Sequence, residues 1–140
     1  MTIQAIQDEI VDEFSMFDDW MQRYEYMIEL GKTLPLIEEK YKTEDNIIKG
    51  CQSKVWVHAE ENNGNIVFTA DSDAILTKGI IAILIRVFSN QSPQTILDAN
   101  TNFIDKIGLK EHLSPTRANG LVSMIKKIKM YALAFNAKNK

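Results

Sequence analysis

The residues from Ala74 to Phe88 constrain this chain more than any other stretch. Ile75, Leu76, Ile80, Ile81, Ile83, Leu84, Ile85, Val87 and Phe88 leave nearly every face of a helix apolar, and a helix greasy all round has to be buried. Its length argues against a strand despite the isoleucines. It is no membrane span either. The most apolar run, Gly79 to Val87, is interrupted by Arg86, preceded by Lys78, and far short of the roughly 20 residues that cross a bilayer. The rest of the chain therefore has to supply elements that surround this helix. Asp71-Ser72-Asp73 opens it: Ser72 or Asp73 is the expected cap, and both acids lie near the positive end of the helix dipole.

Two amphipathic helices precede it. Ile3, Ile6, Ile10, Val11 and Phe14 recur at intervals of three and four, which gives a helix over residues 3–14 with an acidic outer face and Thr2 as its cap. Trp20, Tyr24, Tyr26, Met27 and Ile28 give a second, from Asp18 or Asp19 through Leu30, with Gly31 as its C′ residue. Leu34-Pro35 breaks that pattern, Leu36–Tyr41 adds a short helical turn, and residues 42–50 read as a loop. The period then changes. Val55, Val57 and Ala59 alternate with Lys54, Trp56 and His58, the signature of a strand with two different faces. Asn62-Asn63-Gly64-Asn65 is tight-hairpin chemistry, and Ile66–Ala70 returns as the antiparallel partner. Two strands alone are marginal, so a third is expected, within residues 71–76 or before the cysteine.

After the central helix, Ser92-Pro93 and Ser114-Pro115 each set a cap before a proline at the first helical position. The first starts a short helix to about Ala99. The second starts a long one through Arg117, Leu121, Met124, Ile125, Ile128, Tyr131, Ala132 and Phe135. Phe103, Ile104, Ile107, Leu109 and Leu113 supply apolar-faced turns between them. The fold class is α+β, a small antiparallel sheet flanked by helices, with residues 1–140 as a single domain.

Charge and cysteine usage bound the partners. The net charge of −3 argues against a general affinity for nucleic acid or anionic membrane. It hides an asymmetry, because residues 1–70 carry 14 acids against 6 bases and residues 71–140 carry 5 against 10. The C-terminal Lys126, Lys127, Lys129, Lys138 and Lys140 read as a solvated helix face, with a partner patch as the alternative. One cysteine forms no internal disulfide, the N-terminal residues lack the pattern of a secretory signal, and the expected location is the cytoplasm.

That cysteine, Cys51, lies in Asn46–Trp56, between Gly50 and two small polar residues at the mouth of the first strand and close to Lys49 and Lys54. It reads either as a packing residue or as a reactive thiol, since reactivity depends on exposure and nearby positive charge. His58 and His112 are the only histidines, and no ligand pair has zinc spacing. Gly31, Gly50, Gly64, Gly79, Gly108 and Gly120 form neither a phosphate loop nor a dinucleotide fingerprint. His58 is seven residues from Cys51, about 20 Å along a strand, and His112 could serve it only through the fold. Asp71 and Asp73 are explained by capping before acid–base work. A loop thiol without metal or neighbouring base suits passing on a sulfane sulfur, which needs only a thiolate attacking a persulfide.

Gly50-Cys51-Gln52-Ser53-Lys54-Val55-Trp56 resembles the G-C-Q-S-x-V-W segment of SufE, the sulfur-acceptor protein of Suf iron–sulfur assembly. The resemblance continues through Tyr26–Gly31 with Leu34-Pro35, Asp71–Ala74 with Lys78-Gly79, and Leu113–Arg117 with Gly120-Leu121, over essentially the whole chain. It implies an α+β fold similar to the IscU scaffold, without the extra cysteines that hold a nascent cluster there. It implies that Cys51 carries a persulfide taken from a SufS-type desulfurase, whose pyridoxal phosphate belongs to that partner, and passes it to a SufBCD-type scaffold. The protein would then be a sulfur-transfer accessory and desulfurase activator rather than a stand-alone enzyme, with no cofactor or metal of its own. Gly50, Gln52, Ser53, Asp71, Asp73 and Arg117 would support the cysteine loop or the partner surface, Asp73 with Asp71 by influencing the loop's exposure. The related partner of the CsdA desulfurase shares these motifs. The alternatives are an interaction module that activates a desulfurase without carrying sulfur, and a cysteine-dependent hydrolase or transferase.

Overall fold

The computed structural model describes residues 2–51 and 53–138. Its centre is α3 (Ile75–Phe88), whose residues from Ile80 to Ile85 are all buried and which touches α1, α2, β2 and α7. The remaining elements, in chain order, are α1 (Ile3–Ser15), α2 (Trp20–Gly31), two 3-10 turns at Glu39–Tyr41 and Glu44–Asn46, β1 (Val55–Asn62) and β2 (Asn65–Ser72). After α3 come α4 (Pro93–Asp98), α5 (Asn102–Lys106), α6 (Leu109–His112) and α7 (Pro115–Lys138). This is the expected α+β arrangement.

Three of the caps read from sequence are made. Thr2 Oγ1 accepts from Ala5 N at 3.1 Å, Ser92 Oγ from Thr95 N at 3.2 Å, and Ser114 Oγ from Arg117 N at 3.3 Å. The hairpin turns at Asn63 and Gly64, with φ of 54° and 85°, the two positive values a tight two-residue turn needs. Val55, Val57, Ala59, Ile66, Phe68 and Ala70 form the buried face of the sheet.

The expected third strand is replaced. Among the described residues the sheet has two strands, and single bridges occupy its edges. Ile48 N donates to Val55 O at 2.8 Å beside the Ile47–Trp56 bridge. On the other edge, Ile37 N donates to Ala70 O at 3.1 Å and Ile66 N to Gln91 O at 2.9 Å. The 3-10 turn at Glu44–Asn46 and the positive φ of Gly50, 93°, keep the segment before β1 from running extended for longer. Burial against helices then supplies what a third strand would have given.

Two glycines act differently from the sequence reading. Gly31 ends α2 inside the helix rather than beyond it, and a Cβ there would lie 3.1 Å from Gly79 N. A Cβ on Gly79 would lie 2.3 Å from Met27 O. The pair lets α2 and α3 cross almost backbone to backbone.

The one cation in the apolar run, Arg86, reaches α1. It donates to Glu13 Oε1 at 2.8 Å and pairs with Glu9 as well, while the Tyr26 hydroxyl also bonds Glu13. The Arg86 guanidinium holds the Glu13 carboxyl below its ordinary 4.5, against the opposing effect of burial and with help from Tyr26. A lowered folded pKa stabilises the protein above the unfolded value, and that contribution is lost as pH falls through the folded value. Arg86→Met is therefore expected to cost about 1–3 kcal/mol at neutral pH, and urea unfolding should show the difference from wild type shrinking below about pH 4.

Candidate functional site

The ladder bond between Ile48 and Val55 closes a short loop, residues 49–54, that carries Cys51 onto α7. The roots of this loop are held from several directions. Tyr131 of α7 places its hydroxyl 2.7 Å from Asn46 Oδ1 and 2.9 Å from Val57 O, and Lys127 Nζ donates to Asp45 O at 2.8 Å. Burial, with the charge of Asp45, pushes the Tyr131 phenol up to about 12, so it remains a neutral donor. At the far end Lys54 N donates to Asp73 Oδ1 at 3.0 Å, and Asp73 N donates to Lys54 O at 3.2 Å. What is left between these anchors is the tip.

The thiol at that tip is half-buried. Cys51 Sγ lies 3.7 Å from Gly120 O, in S–H donor range, and shares a pocket with Ser53, Thr77, Ile80, Arg117, Gly120 and Met124. Ser53 and Thr77 hydroxyls face each other at 3.3 Å, and Thr77 is one of the two buried polar side chains among the described residues. In sequence the thiol lies close to Lys49 and Lys54, which leaves a reactive thiol and a packing residue both open. Burial dominates and pushes the Cys51 pKa up from its ordinary 9.0. At neutral pH the resting group is a protonated thiol.

Two glycines make this seat. A Cβ on Gly120 would lie 3.2 Å from Sγ, and a Cβ on Gly50 would lie 2.7 Å from Ser123 Oγ. A glycine inside a 24-residue helix costs roughly 1 kcal/mol relative to alanine, a local sign of close approach at the position that the Gly120-Leu121 motif also marks. Gly120→Ala should raise helix propensity yet press on the sulfur, so the rate of Cys51 alkylation by a neutral reagent is expected to rise several-fold. An unchanged rate would mean that the seat does not limit exposure.

The other expected site residues are distributed as follows. Ser53 and Arg117 line the thiol pocket, Arg117 from the exposed first turn of α7. Asp73 ties down the loop and does not cap α3; Ala74 holds the cap position without a side-chain bond, and Ser72 Oγ accepts from Ala74 N. Asp71 is not a cap either. Burial works against ionisation, but Lys42 Nζ 3.0 Å from Oδ2, the Ser72 N–H donating to Oδ1 at 2.8 Å and Lys78 Nζ 3.4 Å from Oδ1 together hold its carboxyl low. Gln52 lies outside the described residues. His58 stacks on Tyr41 at 3.7 Å and bonds Glu60, while His112 stacks on Trp20 at 4.1 Å. Neither histidine is among the described residues that line the thiol pocket, so a cysteine–histidine pair is not assembled in this arrangement. Among the described residues no group of three or more His, Cys, Asp or Glu could hold a metal ion, and no helix is long and apolar enough to cross a membrane.

Fold and site together define a small α+β protein built to seat one loop thiol against a long helix. A SufE domain, described as an Fe-S metabolism associated domain, matches residues 8–132. An uncharacterized SufE-like protein of Rhizobium meliloti is 44% identical over 131 residues, covering 89% of this chain and 93% of that one. A second, from Rhizobium etli, is 43% identical over 128 residues, covering 87% and 86%. The chain belongs to the SufE family, and its domain is of a kind associated with iron–sulfur metabolism. The solution structure of a hypothetical protein from Thermus thermophilus shares the fold, with a TM-score of 0.76 at 19% identity over 92% of this chain and 94% of that one.

Proposed function

We propose that the protein is a sulfur carrier: Cys51 accepts a sulfane sulfur from a SufS-type, pyridoxal-phosphate-dependent cysteine desulfurase and delivers it to a SufBCD-type scaffold. The observation that carries this reading is the seat of Cys51, a lone thiol without an adjacent base, neutral at rest and held on a loop with fixed roots. A hydrolase needs a base beside its nucleophile, and a carrier needs only a thiol that can be shown and hidden.

In the transfer step the loop tip leaves the pocket and Cys51 loses its proton to solvent. The thiolate attacks the outer sulfur of the donor's cysteine persulfide. A new S–S bond forms on Cys51 as the donor's S–S bond breaks, and the donor cysteine departs as a thiolate that takes up a proton. No net oxidation occurs. Six residues held at both ends extend their tip by about 10 Å at most, which suits entry into a narrow active site. Release of Lys54 from Asp73 sets how much of that reach is available. On withdrawal, a space of about 40 Å³ beside Sγ receives the extra sulfur, well above the roughly 10–15 Å³ that one water requires on the same measure.

The carrier works in the cytoplasm and binds no cofactor of its own. Its test is kinetic: adding the protein to a SufS-type desulfurase should accelerate conversion of cysteine to alanine in a saturable way. No acceleration at any ratio would contradict the reading.

A further inference from the structure

Beyond the thiol pocket, the outward face of α7 is exposed among the described residues and close to the cysteine loop. Val122, Lys126, Met130 and Leu133 recur at intervals of four, four and three, which places them on one face of the helix. Val122, Met130 and Leu133 are 39%, 62% and 59% exposed. The stripe borders a groove of about 240 Å³ lined by Ile48, Lys49, Ser123, Lys126, Lys127 and Met130. No acid is among those lining residues. Lys127 is engaged by the Asp45 carbonyl, but Lys49 and Lys126 make no ion pair among the described residues. Elsewhere exposed cations divide: Lys32 and Lys40 pair with acids, while Lys106 and Lys110 make no ion pair among the described residues. Apolar surface flanked by unpaired bases complements an acidic, apolar-faced helix.

The groove adjoins the loop. Lys49 is the first residue of the closed segment, and Gly50 rests on Ser123, which lines the groove. Whatever fills the groove therefore presses on the arm that holds Cys51 in its seat. We propose that this α7 groove is the docking site for an acidic amphipathic helix of about three turns on the sulfur donor, and that its occupation unseats the loop. The span from Val122 to Leu133 is about 16 Å, which sets that length. The donor is the occupant because sulfur uptake requires the seated thiol to be released, and the groove borders the arm that seats it. This inference rests on the carrier reading. A second copy of this chain, offering its acidic first half, is the competing occupant, and self-association would reveal it.

The test is the double variant Lys49→Glu/Lys126→Glu in the full chain, titrated against a SufS-type desulfurase. At about 20 mM salt the concentration giving half-maximal acceleration should rise about tenfold or more, and the gap from wild type should narrow at about 0.5 M salt. Met130→Ser should raise it at both salt concentrations. Loading of Cys51 by glutathione persulfide, which needs no docking, should be unchanged in Met130→Ser, which leaves the charge around the thiol loop as it is. An unaltered half-maximal concentration overturns the docking site while leaving the carrier reading intact. So does a variant that slows only delivery to a scaffold, or one whose sole effect is to abolish self-association seen by sedimentation. If wild type neither accelerates the desulfurase nor loads from glutathione persulfide, the carrier reading itself has failed.

Discussion

Serine in place of Cys51 should return the desulfurase to its own basal rate at every concentration of added protein. The substitution exchanges one sulfur for one oxygen in a half-buried seat. The hydroxyl can still donate to Gly120 O, so stability should stay within about 1 kcal/mol of wild type. A serine hydroxyl is far too basic as an anion to attack a persulfide at neutral pH, so loss of sulfur uptake is complete rather than partial. This variant separates the carrier from a pure activator. A protein that stimulates by contact alone would keep its full effect without the thiol, and Cys51→Ser at wild-type stimulation would support that second role.

The largest loss of stability is expected far from the thiol, at Gly79→Ala. The added methyl would sit 2.3 Å from Met27 O and 2.8 Å from its carbonyl carbon, both backbone atoms that no rotamer change can move. α2 and α3 would have to separate. They are the most intimately packed pair of helices, and α3 is the centre of the core. Overpacking typically costs about 1–3 kcal/mol and occasionally more, while the gain in helix propensity returns up to about 1 kcal/mol. A backbone clash belongs at the severe end, so a net loss of about 2 kcal/mol or more is expected, read as a lower urea midpoint. Gly31→Ala, at 3.1 Å from Gly79 N, should follow the same direction with a smaller effect.

Local signals were legible in the sequence, and contacts across the fold were not. The all-round apolarity of Ala74–Phe88 was enough to make α3 the core, because burial on every side leaves no other place for it. The Asn63-Gly64 turn and the serine–proline caps carry their geometry within a few residues, so they read directly. Gly31 and Gly79 were different. Each is a locally plausible glycine, and only the crossing of two helices 48 positions apart shows why neither carries a side chain. Asp71 and Asp73 were misassigned as caps for a related reason: helix-start acids fit the local pattern, and their partners Lys42, Lys78 and the Lys54 amide come from elsewhere in the chain.

For the site, the sequence singled out Cys51, Ser53 and Arg117, which meet in one pocket. It did not reveal the seat. Thr77, Ile80 and Met124 line that pocket from α3 and α7, and in sequence they are ordinary core positions. Nearness to Lys49 and Lys54 in sequence says nothing about which way the thiol points, so packing and reactivity stayed open there. It points into α7, where burial pushes its pKa up. The proposed carrier thus depends on a thiol that is unreactive in its resting position.

Whether this thiol is the atom that receives sulfur is decided by weighing it. The protein is incubated with a SufS-type desulfurase and cysteine, digested without reductant, and its peptides are weighed. The peptide containing Cys51 should gain about 32 Da per sulfur atom, dithiothreitol should remove the gain, and omitting cysteine should prevent it. A Cys51 peptide that keeps its unmodified mass while the desulfurase turns over would show that the sulfur goes elsewhere.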